Sequence, residues 1–231
     1  MNNEINIMIE LQHLWDIVMQ KEAEIERHKK SISIWEKRLT DLRNDFTGKE
    51  NLLKNTKLKS KQTELKLEEV SSKITKIEQR KDNIKSEREL DAQNAELKNL
   101  HEEKDSLENQ VLELMEQIEN LESTVEKLKK ELDETSIQTV TDIQTLKEKI
   151  SGCESDSGST RTEFTNTISE LDPSLRTRFS KLINSKDGIA IAKLNGEICS
   201  HCNFQIPSSI AAATLKRESI NTCTNCGRFI Y

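Results

Sequence analysis

Between Leu11 and Ile84, apolar residues return at alternating steps of three and four. Leu11, Leu14, Val18, Ile25, Ile32, Trp35, Leu39, Leu42 and Phe46 open the series, and Leu53, Leu67, Val70, Ile74, Ile77 and Ile84 continue it. The remaining slots fall on Lys21, His28, Lys49, Thr56, Ser60, Thr63 and Lys81. A second series runs through Leu97, Leu100, Leu107, Val111, Leu114, Ile118, Leu121, Val125, Leu128 and Leu132, with Lys104 as its polar slot. A seven-residue apolar repeat sustained this long specifies a left-handed coiled coil. Composition agrees. Hydrophobic residues make up 33% of the 231, below the roughly 45–50% of globular domains. That is too little for a large core and enough for a seam between helices.

The two series do not share a register. Continuing the first would put Arg88, Asp91, Lys98, Glu102 and Asp105 into the seam, where unpaired charges in succession are too costly. The chain must therefore slip or turn between Ile84 and Leu97. An antiparallel hairpin with its tip near Lys85–Asp91 also makes the two arms about equal in length. A parallel dimer with a register defect is the alternative, since the segment has no glycine or proline to force a turn. Folding about residue 88 would bring Trp35 near Val140, in arms of roughly 120 Å at 1.5 Å per residue.

Three stretches are expected to disturb the helices. Gly48 interrupts the first arm, and the β-branched TSIQTVTDIQT, residues 135–145, shifts the register of the second. A bend is expected where these meet. SGCESDSGST, residues 151–160, is expected to end or kink the second helix. Asp172-Pro173 then supplies an N-cap and a proline at the first helical position, opening a short helix through residues 175–183. The expected organisation is a helical hairpin over 1–172, a neck over 173–188 and a small C-terminal domain over 189–231.

Within that last domain, IAIAKL, Asn195-Gly196 and EIC read as a β-hairpin that delivers Cys199. Cys199 and Cys202 are followed, after twenty residues, by Cys223 and Cys226. Two CxxC pairs at this spacing form two knuckles whose thiolates converge on one ion, so one structural zinc per chain is expected. Four thiolates leave no open position for substrate. A segment of about 40 residues also needs such a staple to fold. His201, His13, His28 and His101 read as exposed or seam residues, and Cys153 as an incidental thiol.

Five cysteines arranged this way point to a reducing compartment, and MNNEINIMIELQ lacks the basic and apolar regions of a signal peptide. No apolar run reaches the roughly 18 residues of a membrane span. A cytoplasmic location is expected. No phosphate loop, GxSxG or HExxH is present, so an enzyme is not expected.

Charge divides along the chain. From Pro173 onward, Arg176, Arg178, Lys181, Lys186, Lys193, Lys216, Arg217 and Arg228 face only Asp187, Glu197 and Glu218. This segment carries +5 in a chain of net charge -6. Lys193, Lys216, Arg217 and Arg228 are thus candidate contacts for nucleic acid or an acidic partner.

IKSERELDAQNAEL (84–97), LENQVLELMEQIENLE (107–122), LDPSLRTRF (171–179), CSHCNFQIP and CTNCGRFIY carry a resemblance. They resemble the bacterial coiled-coil hairpin proteins that end in a C4-type zinc ribbon, the FlgZ/CdsZ-like family. The resemblance spans essentially the whole chain. It maps Cys199, Cys202, Cys223 and Cys226 onto the family's metal ligands, and Gly227 and Arg228 onto its CGR ending. It implies a mainly α protein, a long antiparallel coiled-coil hairpin with a small β-rich zinc ribbon. It also implies an adaptor that binds the sigma-54 factor or its holoenzyme and links it to flagellar or type III secretion export components. RNA binding is a further activity of the family. The rival expectation is a nucleic-acid-binding protein that grips RNA through the basic ribbon and neck.

Overall fold

The structure, a computed structural model, describes residues 3–80, 86–185, 187–217 and 219–231. Helix α1 spans Asn3–Arg80 and α2 spans Glu87–Ile168. They form the expected antiparallel hairpin within one chain, not a parallel dimer. Lys21 pairs with Asp156 at 2.9 Å, Lys57 with Glu122 at 2.6 Å, and Gln93 Nε2 donates to the Ile77 carbonyl at 3.0 Å. The midpoints of these pairs lie close to residue 88. Of the expected tip, Lys85 lies outside the described residues, and Glu87–Asp91 already belong to α2.

The heptad pattern places the seam residue by residue. Every first-series slot from Leu11 to Ile77, polar ones included, is buried or half-buried, and so is every second-series slot from Leu97 to Leu132. Thr56, Ser60 and Thr63 are buried as deeply as leucines elsewhere. Each threonine returns its hydroxyl to its own helix, Thr56 to Leu52 O and Thr63 to Lys59 O, both at 2.9 Å.

Both helices run on through the stretches expected to disturb them. Gly48 and residues 135–145 leave the helices unbroken. In the second, buried or half-buried residues run Leu132, Thr135, Thr139, Ile143, Leu146 and Ile150. Two consecutive steps of four there are a stutter, which shifts register without breaking hydrogen bonds. Val140 points outward and its neighbour Thr139 is the buried residue.

SGCESDSGST likewise stays helical. Cys153 and Ser157 are buried and Thr160 half-buried, so they continue the seam, while Asp156 and Arg161 pair with Lys21 and Glu22 across it. Tertiary contact overrides a weak local propensity. Gly152 and Gly158 sit on the exposed side, with open space where a Cβ would go. Gly152→Ala and Gly158→Ala should each stabilise the chain by about 1 kcal/mol. Thermal unfolding of the single and double variants checks this, and a lowered midpoint would contradict a regular helix here.

By contact, Met1–Ser33 with Asp142–Tyr231 forms one compact unit and Ile34–Thr141 another. Within the first, Asp172 caps α3 (Pro173–Ile183), accepting from the Ser174 amide at 2.9 Å. The Ser174 hydroxyl and amide hold the Asp172 carboxyl below the usual range. Beyond α3 come β1 (Ile191–Ala192), β2 (Leu194–Asn195), β3 (Ile198–Cys199), α4 (Ser208–Leu215), β4 (Asn221–Thr222) and β5 (Phe229–Ile230). β5 lies between β1, to which it is parallel, and β4, to which it is antiparallel.

This small domain shares its main core with the base of the hairpin. Ile5, Met8 and Leu11 of α1 pack with Leu171, with Phe179 and Ile183 of α3, and with Ile191 and Phe229 of the sheet. Among the described residues, no helix is long and apolar enough to cross a membrane.

Candidate metal centre

Two turns of the same construction carry the four cysteines. In the first, the Cys199 amide donates to Phe204 O at 3.0 Å and the Asn203 amide to Cys199 O at 2.9 Å. In the second, the Cys223 amide donates to Arg228 O at 2.8 Å and the Gly227 amide to Cys223 O at 2.9 Å. Each turn needs a left-handed residue immediately after its second cysteine. Asn203 (φ 57) and Gly227 (φ 76) fill that place, the residue types that bear positive φ at least cost. In sequence this is CSHC-N and CTNC-G.

The first turn is presented by the expected hairpin, with one difference. β2 and β3 pair Leu194 with Cys199 and Asn195 with Ile198, so the loop is Gly196-Glu197, not Asn195-Gly196. Gly196 (φ 64) occupies its first central position, the pattern of a type II′ turn. The second turn lies between β4 and β5.

These turns bring the four sulfurs together. Cys199 Sγ lies 4.0 Å from Cys226 Sγ and Cys202 Sγ 3.6 Å from Cys223 Sγ, and all four lie within 4.8 Å of one another. A tetrahedral four-sulfur shell with 2.3 Å metal–sulfur bonds has edges of about 3.8 Å. The donor set therefore fits a tetrahedral metal ion. Among the described residues it is the one cluster of ligating side chains so placed.

Burial and local dipoles divide the thiols. Burial pushes the Cys199 thiol up and the Cys223 thiol up to about 12. Burial also opposes ionisation of Cys202. The Phe204 amide, the Asn225 side chain and the neighbouring cysteines outweigh it and lower that thiol to about 6. A bound cation would draw out thiolates from this cluster by displacing their protons. Ala192, Leu194, Ile206, Ala211 and Ile230 pack around the cluster.

His201 is no ligand here: its Nε2 lies 3.4 Å from Asp187 Oδ2. The same carboxylate pairs with Arg228, whose Nε donates to Ile189 O at 2.9 Å. The Ser185 hydroxyl, and then Arg228, hold the Asp187 carboxyl below its usual range. Arg178 donates to Gly227 O at 3.2 Å and lies 5.3 Å above the Phe229 ring. The second cysteine turn is thereby tied to α3 and the linker.

The four basic candidate contacts do not form one surface. Lys193 and Lys216 are exposed. Arg217 is half-buried and donates to Asn6 Oδ1 at 2.8 Å. Arg228 is a correction: only 8% exposed and committed to Asp187 and Ile189, it is an internal strut.

Sequence reasoning missed Gln12. Its Nε2 donates to Gly188 O at 2.9 Å and its Oε1 accepts from the Ala190 amide at 2.7 Å, fastening the linker to α1. Partners 176 and 178 residues away leave no local signature. Gly188 (φ 63) beside it admits no side chain, since a Cβ would stand 2.9 Å from Trp15 Nε1.

The CT398-like coiled coil hairpin domain matches residues 16–187. The structure of CT398 from Chlamydia trachomatis superposes with a TM-score of 0.87 at 21% identity, covering 100% of this chain and 99% of that one. The HP0958 protein from Helicobacter pylori gives 0.64 at 20% identity, over 100% and 97%. A protein from Mycobacterium smegmatis gives 0.59 at 19%, over 98% and 97%. No curated protein matches the sequence.

Proposed function

The chain belongs to the CT398-like coiled-coil hairpin family, and from that premise we propose that it is a non-enzymatic cytoplasmic adaptor. The four-cysteine cluster carries the reading. Cys199, Cys202, Cys223 and Cys226 would hold one zinc ion, which would supply cross-linking of the two turns. A shell of four thiolates is saturated, so the metal's work is structural. What the chain then offers a partner is surface: two long helices and a ribbon fastened to their base.

The partner is the sigma-54 factor, alone or in its holoenzyme, and the adaptor links it to flagellar or type III secretion export components. The FlgZ/CdsZ-like resemblance of the tip, neck and cysteine motifs supports this choice. The engagement of Arg228 with Asp187, and of Arg217 with Asn6, counts against RNA as the main ligand, because it leaves two free lysines among the four candidates.

Binding of purified sigma-54 factor to the full chain tests the proposal. Lys193→Glu with Lys216→Glu should leave that affinity within about twofold, since helix-face recognition rests on apolar anchors. RNA binding through phosphates would instead fall by a large factor in the same variant, with a flatter salt dependence. No binding of the sigma factor by the wild-type chain, together with salt-sensitive RNA binding, would reverse the assignment.

A further inference from the structure

Leu58 and Leu65 of α1 point away from the hairpin seam. Leu58 lies midway between the seam residues Thr56 and Ser60, and Leu65 midway between Thr63 and Leu67, each about 200° around the helix from both. They are 53% and 57% exposed, and Leu52 is 48% exposed. Their surroundings are basic in a chain of net charge -6: from Leu52 to Lys66 there are five lysines and one glutamate. Lys54 and Lys61 border Leu58 on one side of this outer face, and Lys61 also neighbours Leu65. Asn55 and Gln62 border the leucines on the other side, with Lys59 and Lys66 beyond them. Lys57 is bridged to Glu122 within the chain at 2.6 Å. The exposed Lys54, Lys59, Lys61 and Lys66 have no ion-pair partner among the described residues. Beside Leu58 an open hollow of about 600 Å³ is lined by Leu53, Lys54, Lys57, Leu58 and Lys61.

We propose that this outer face of α1 docks an acidic amphipathic helix of another protein. The partner's apolar side chains would rest on Leu58 and Leu65, and its carboxylates on the unpaired lysines. The layout selects that occupant. Two leucines seven residues apart, bordered by charge, repeat the stripe-and-flank arrangement of a coiled-coil contact, in which the flanking charges choose the partner. The unpaired lysines beside this stripe are all of one sign, so the matching helix carries Glu or Asp beside its own apolar stripe. The same face of a second copy would oppose lysine to lysine. A bilayer surface takes a helix with an apolar arc of roughly 100° or more, whereas this stripe is one residue wide. Nucleic acid phosphates would take the lysines and leave both leucines in water. The basic stretch closes at Glu68 and Glu69, one turn past Leu65, and Glu69 is bridged to Lys73 at 2.8 Å. Any acidic helix of this layout fits, whether or not it belongs to the sigma-54 factor.

Fluorescence anisotropy of a labelled synthetic peptide, titrated with the full chain, tests this. The probe is a helix of about 20 residues with a leucine stripe and glutamate on both sides of it. The control peptide carries lysine in place of each glutamate. The acidic probe should bind, more weakly as salt rises, and the control should not. Leu58→Gln with Leu65→Gln keeps every charge and should raise the dissociation constant about tenfold or more. Lys54→Glu with Lys61→Glu should abolish binding of the acidic probe and admit the lysine control. Leu112→Gln, at a residue of α2 that is 64% exposed, should change nothing. All the substituted side chains are exposed, so helical circular dichroism should stay as in the wild type. No binding of the acidic probe by the wild type, or binding that ignores Leu58 and Leu65, would overturn the proposal. Phosphatidylglycerol vesicles or polyuridine RNA that bind the wild type and are lost in the leucine variant would give the face to another occupant and equally overturn it. So would sedimentation equilibrium showing a wild-type dimer that the leucine variant abolishes.

Discussion

Replacing Cys226 by Ser should unfold the ribbon and leave most of the hairpin helical. A structural zinc contributes on the order of 10–16 kcal/mol of apparent folding free energy in small peptides, far more than any single contact in the segment. Three thiolates and a hydroxyl cannot close the same shell, and the sulfurs of Cys199 and Cys223 are buried among apolar side chains. Without the ion, the packing of strands only two residues long should not offset the cost of ordering the two cysteine turns. The damage should reach the base, because Phe229 shares a core with Ile5, Met8 and Leu11. It should spare Ile34–Thr141, which forms a compact unit of its own. Hydrogen exchange should show loss of protection over 189–231 and the first turns of α1, with far-UV helicity falling only slightly. Removing metal from the wild type with a strong chelator should reproduce that pattern. Elemental analysis finding less than one zinc per chain in gently purified protein, with the ribbon still protected, would contradict the assignment.

The hairpin was legible because its seam repeats, and repetition survives individual exceptions. Thr56, Ser60 and Thr63 were recognisable as seam residues only because leucine, valine and isoleucine occupied the slots on either side. Between residues 135 and 160 that support thins, and the seam passes through Thr139, Cys153, Ser157 and Thr160. Read for hydrophobicity alone, the stretch looks like a break. Read for spacing, it is the same helix, held by Lys21–Asp156 and Glu22–Arg161 pairs that no local window contains. The four-cysteine cluster was legible for a different reason. Ligand spacing is a local property, and two CxxC turns need only their own five or six residues to form. What sequence could not supply was the attachment of the ribbon to the hairpin. Gln12, Asp187 and Arg178 act across long separations, and each residue type is as common on a solvated surface as in a strut. α4, an alanine-rich helix of eight residues opening after Pro207, also lacked the length to declare itself by periodicity.

Phe229→Ala should cost about 3–5 kcal/mol, the range for deleting a fully buried phenylalanine. The ring is 1% exposed, stacks on Phe179 at 6.4 Å between centroids, and has the Arg178 guanidinium above it. Its strand is the central one of three, so the truncation opens a cavity between β1, α3 and the first turns of α1. Backbone pairing cannot close that cavity, because the Phe229 amide is already fixed to Ala190 O at 3.0 Å. The four sulfurs belong to a different cluster, packed by Leu194, Ile206 and Ile230. The variant should therefore keep its metal while its base loosens. Denaturant unfolding followed by Trp15 fluorescence, in a Trp35→Phe background, reads the base directly, since Trp15 packs against Phe164 at 5.5 Å beside this core. Its midpoint should fall sharply with zinc still at one per chain, and Phe229→Leu should recover much of the loss. Loss of zinc in step with the loss of Phe229 would mean that the metal turns cannot stand without the hairpin beneath them, and that ribbon and base fold as one body.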